Sequence, residues 1–131
     1  MGIDVFLIWE GMTHEEWIKA QDIIHLREPY HGAPYATWTL LEGLDPDSKY
    51  EKKRVFVGSP HETEIVVAPV TAKNLRDRLP EVLKVAIERA AKVYHETATM
   101  DSQEVKAFSD FVELAEQKER AGKKLYICVS Y

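Results

Sequence analysis

The chain closes on KKLYICVSY, residues 123–131, and the fold turns on how this stretch is read. Its apolar, aromatic and β-branched residues mark a strand. Side chains alternate along a strand, so Leu125, Ile127 and Val129 share one face and Tyr126, Cys128 and Ser130 the other. At the opposite end, IDVFLI, residues 3–8, is equally short, β-branched and aromatic, which reads as a buried strand. Two apolar strands at the two ends of one chain are expected to lie centrally in a sheet, side by side.

Working inward, Thr13 and Glu16 form a capping-box pattern ahead of a helix expected over His14–Asp22. IIHLR, residues 23–27, is read as a second strand, because Pro29 disfavours helix nearby and β-branching is high. A helix is expected from near Pro34, with Gly43 as its stop. DPDSKYEKKR, residues 45–54, reads as a polar loop. VFVGS (55–59) and ETEIVVAPV (62–70) read as the two strands of a hairpin.

Thr71 is a candidate cap for a helical stretch that Pro80 should break into a short helix up to Arg78 and a long one to about His95. Leu83, Ala86, Ile87, Ala90, Val93 and Tyr94 form an apolar stripe on the second piece. A further helix is capped by Asp101 or Ser102 and stops at Gly122. Its buried face is Val105, Phe108, Val112 and Ala115, with Phe111 and Leu114 alongside. This order implies an α+β fold: one domain over residues 1–131, with a small mixed or antiparallel sheet of about four to five strands and three to four helices.

The bulk properties agree. The 131 residues are 45% hydrophobic and 30% charged, which is ordinary for a globular domain. A net charge of −5 argues against a dedicated nucleic-acid binder. The single cysteine, Cys128, excludes an intramolecular disulfide and suggests a reducing, cytoplasmic setting. No apolar run approaches a membrane span, and the N-terminal stretch lacks the basic lead of a signal peptide.

Chemistry concentrates in HLREPYHGAPYATW, residues 25–38. Its histidine, arginine and tyrosines can bind a polar ligand or form a protein contact, while Pro29, Gly32 and Pro34 also serve a tight connection. Asp4 interrupts the first strand and needs a partner; Arg27 supplies one if the first two strands are neighbours. That pairing would draw Asp4, Glu10, Arg27, Glu28, His31 and Tyr35 into one composite polar pocket.

Other patterns fall short. HEEWI, residues 14–18, begins like a zinc-protease helix but has Ile18 where a second histidine is required, so no metal site is expected. Neither glycine-rich phosphate motif occurs, and no cofactor is expected. GSPH, residues 58–61, lacks the elbow that exposes a nucleophilic serine. Cys128 reads as a small apolar filler. KYEKKR, residues 49–54, is a basic patch with one aromatic that could meet an acidic surface, with a solvated loop as the plainer reading.

The opening GIDVFLIWEGMT, residues 2–13, with LREPYHGAPYAT, residues 26–37, resembles a group of small bacterial proteins. Those proteins open with Gly-Ile/Val-Asp-Val-Tyr/Phe-Leu-x-Trp and carry a Tyr-x-Gly-x-Pro-Tyr loop. The resemblance covers the first third of the chain and implies no activity.

The expectation is a non-enzymatic protein-interaction module with a protein partner and a capacity for self-association. Its contact residues would be Arg27, Glu28, Tyr30, His31, Tyr35 and Trp38, with Asp4 beneath them. The alternative is a small-ligand binder or hydrolase-type enzyme using His31 with Glu28, Arg27 and Asp4.

Overall fold

A computed structural model describes residues 2–29, 35–42, 49–55, 61–93, 95 and 97–130. In chain order the elements are β1 (Gly2–Trp9), α1 (His14–Ile24), β2 (His25–Pro29), α2 (Ala36–Leu41), β3 (Glu51–Val55), β4 (Thr63–Val70), α3 (Ala72–Val93), α4 (Gln103–Arg120) and β5 (Leu125–Ser130). The strands form one antiparallel sheet in the order β2-β1-β5-β4-β3. The two ends of the chain do pair, β1 against β5, with Val5 opposite Val129 and Leu7 opposite Ile127.

Alternation then sorts the core. Ile3, Val5, Leu7 and Trp9 of β1, Leu26 of β2, Val70 of β4 and Leu125 and Ile127 of β5 join residues from all four helices in one cluster. On the other face, Ile8, Val55, Val67 and Tyr126 form a smaller cluster with Ile65 and Cys128, and all of these lie on strands. The division of β5 into two faces is as its sequence implies. Burial pushes the Cys128 thiol above its ordinary value, which keeps it protonated at neutral pH and poorly nucleophilic.

Four local expectations change. First, α1 runs to Ile24 rather than Asp22, and β2 covers His25–Pro29 rather than 23–27. Ile24 continues the helical face of Trp17 and Ala20 into the main cluster, so tertiary burial overrides its β preference. Pro29 ends a rim strand, where a missing amide is tolerated.

Second, residues 51–54 are strand and not loop. Glu51, Lys53 and Val55 take one face and Lys52 and Arg54 the other, and the rim of a sheet accommodates such charges. Residues 56–59 of the expected strand lie outside the described residues. So do Pro34 and Gly43, the expected bounds of α2, which begins at Ala36.

Third, Pro80 does not break α3. Leu75, Leu79, Val82, Leu83, Ala86 and Ala90 are buried on both sides of it and pin both halves to one core. Pro80 itself is exposed, and a helix's solvent side best tolerates a lost amide. Pro80→Ala restores the amide that donates to the carbonyl of Arg76. We expect it to raise stability by up to about 3 kcal/mol, less what proline contributes by restricting the unfolded chain. A lower urea midpoint for Pro80→Ala would mean that the packing requires the proline.

Fourth, His95 lies beyond the end of α3, in a left-handed conformation with φ 54°. The Thr13–Glu16 capping box is present: the Thr13 amide donates to Glu16 at 3.0 Å, and the Glu16 amide to Thr13 Oγ1 at 3.1 Å. Ser102 is the N-cap of α4, and Gly122 follows that helix with φ 84°.

Candidate functional site

The period of two in β2 sends His25 and Arg27 to one face and Leu26 and Glu28 to the other. Asp4 sits opposite Arg27 in the β1–β2 register, so the first two strands are indeed neighbours. The closer partner of Asp4 is His25, whose Nε2 lies 2.6 Å from Oδ1, whereas Arg27 Nε stands at 3.8 Å. His25 also stacks on Phe6, with ring centroids 4.3 Å apart. The signal for His25 was present in the sequence: it shares the strand parity of Arg27.

Glu28 is turned towards the helices and is only 6% exposed. A carboxylate buried so far must be fully partnered, and it is. Its Oε2 accepts from the Ala36 amide at 3.1 Å and pairs with Arg89 Nε at 3.3 Å. Its Oε1 accepts from the amide and the hydroxyl of Thr37. Arg89, on α3, is 4% exposed, and its guanidinium carbon lies 4.5 Å from the centre of the Tyr35 ring. Glu28 therefore joins the two feet of the segment that carries residues 30–34. It also caps α2, whose N-cap residue Tyr35 makes no side-chain capping bond. Arg89 went unremarked in the sequence, although an arginine among Ala86, Ala90 and Val93 on a buried helix stripe demands a carboxylate.

The expected composite pocket is thereby divided. Asp4 and Arg27 lie on the sheet face away from the helices; Glu28 and Tyr35 lie on the helix side. Glu10 sits at the far end of β1, its amide bonded to the Lys124 carbonyl. Tyr30 and His31 lie outside the described residues. Arg27 is 67% exposed, and Trp38 on α2 is also exposed. A recess of about 330 Å³ opens beside β2, between α3 and α4, and Arg27, Glu28 and Arg89 are among its lining residues.

Among the described residues, no group of three or more His, Cys, Asp or Glu side chains could hold a metal ion. Among them, too, no helix is long and apolar enough to cross a membrane. Comparison with protein-family models, with curated proteins and with solved structures gives no match.

Proposed function

We propose that the chain is a non-enzymatic interaction module that recognises a protein partner through residues 27–38. The Glu28 clasp carries this reading. It fixes both feet of the segment with a buried, fully partnered carboxylate, and contact residues at fixed positions lose less entropy on binding. Arg27 and Trp38 stand exposed beside those feet, and both are residue types favoured at interface centres. Glu28 is committed to the clasp and Asp4 lies on the other face, which leaves the hydrolase alternative without converging carboxylates. The acidic net charge disfavours a nucleic-acid partner. The single cysteine, held as a thiol, suits a reducing compartment, and we read the module as cytoplasmic.

Capture from native lysate, followed by titration with the purified captured protein, tests this. Arg27→Ala/Trp38→Ala should keep the fold and weaken binding by at least about tenfold, as loss of a central anchor does. Equal affinity for wild type and variant would remove the segment from the interface. Self-association through it would appear as capture of the chain itself.

The recess beside β2 favours a second reading, a small-ligand binder, because about 300 Å³ is the lower end of ligand-site volumes. A small molecule that raises the melting temperature of wild type but not of an Ala90→Leu variant, which fills the recess, would favour it. A library without any such compound would count against it.

A further inference from the structure

We propose that the outer edge of β3 is a separate binding site for an acidic peptide segment, which adds to the sheet as a further strand. β3 is the last strand of the sheet, and β4 occupies only one of its edges. Among the described residues no strand pairs with the other. That edge presents backbone donors and acceptors to any extended chain of suitable charge.

The charge is specified by three successive cations, Lys52, Lys53 and Arg54, in a chain of net charge −5. Their internal compensation is uneven. Lys53 is engaged, its Nζ 4.2 Å from the centre of the Tyr126 ring and 3.8 Å from Glu51. Lys52 Nζ is 3.9 Å from Glu64, at the long end for an ion pair, and Arg54 has no ion pair among the described residues. Val66, opposite Lys52 in the register, is 51% exposed, and Tyr50, directly before β3, is 65% exposed. On the face of Lys52 and Arg54, exposed apolar area from Val66 therefore lies beside the cations, and Glu64 stands opposite Arg54. On the other side, a groove of about 440 Å³ separates β3 from the turn after β1, with Lys53, Glu10 and Tyr126 among its walls.

Two other occupants fit less well. A second copy pairing through β3 would set cations opposite cations, which is destabilising across a strand pair. A nucleic-acid strand has no peptide amides and carbonyls with which to complete the ladder. A peptide with acidic residues at alternate positions meets Lys52 and Arg54 while its backbone completes the ladder.

The test uses the full chain and an acetylated, amidated heptapeptide of alternating glutamate and valine, followed by anisotropy at low salt and by amide shifts of residues 51–55. We expect binding that weakens as salt rises. It should fall by at least about tenfold in Lys52→Glu/Arg54→Glu. It should be absent for the lysine-for-glutamate peptide and for a peptide with N-methylated backbone amides. No binding, or undiminished binding of the N-methylated peptide, would overturn strand addition. So would tighter binding of oligouridylate, or self-association abolished by the same double variant. Shifts confined to residues outside 51–55 would overturn the site even if the double variant failed to fold.

Discussion

Glu28→Ala is expected to cost about 3–5 kcal/mol, the scale for breaking a buried ion pair by removing one partner. Arg89 would be left buried without its carboxylate, and the Ala36 amide and both Thr37 donors would lose their acceptor. A domain of this size is stable by only about 5–15 kcal/mol, so the loss is a large share of the whole. The damage should be reciprocal. Arg89→Leu should also destabilise strongly, while Glu28→Gln/Arg89→Leu should cost less than the sum of its singles, since the second change removes the charge that the first strands. Urea unfolding checks this. A Glu28→Ala cost below about 1 kcal/mol would mean that water or rearrangement replaces the clasp without penalty.

Trp9→Ala is the second large effect, again about 3–5 kcal/mol. Trp9 is the last residue of β1 and is almost wholly buried. Its indole Nε1 donates to Glu16 of α1 at 3.2 Å, and Lys118 Nζ of α4 stands 4.5 Å from the ring centre. One side chain therefore ties the sheet to two helices. Trp9→Phe keeps an aromatic ring and loses the hydrogen bond, so it should cost much less, about 1 kcal/mol from that bond.

The two variants also differ with pH. Burial works against the Glu16 carboxylate, but hydrogen bonds from Thr13 and Trp9, with Lys118 nearby, outweigh it and hold Glu16 below its ordinary value of 4.5. A depressed folded value gives stability that is present above pH 4.5 and lost as pH falls through the depressed value. The gap between wild type and Trp9→Phe should therefore narrow in acid to the packing loss of the smaller ring, while most of the Trp9→Ala gap stays open. A gap for Trp9→Phe that is constant with pH would detach Trp9 from the Glu16 carboxylate.

Much of the fold could be read from patterns that repeat. The period of two in residues 125–130 gave both faces of β5, and helical spacing gave the buried face of α4. The shared apolar character of β1 and β5 pointed to central positions, and the pairing between them, which apolar character alone does not fix, is observed. Reading failed where tertiary contacts outweigh local preference. Pro80 stays inside α3 because the core holds both flanks, and residues 51–54 become strand because β4 supplies a ladder. In the site, a strand expected to end at Arg27 leaves Glu28 without a parity and so without a face, whereas β2 runs to Pro29 and turns Glu28 away from Arg27. The Glu28–Arg89 pair spans β2 and α3, a distance in sequence that no local pattern crosses.

Hydrogen exchange at the Ala36 and Thr37 amides tests the clasp most directly. These belong to the first turn of α2, where amides have no acceptor within the helix. Their protection can then report the Glu28 carboxylate. Slow exchange at both amides in the wild type, and fast exchange at both in folded Glu28→Leu/Arg89→Leu, which has no side-chain acceptor at residue 28, with the rest of α2 and α3 still protected, is the expected result. Fast exchange in the wild type, or protection that survives the double variant, would contradict a segment fixed at its feet by Glu28.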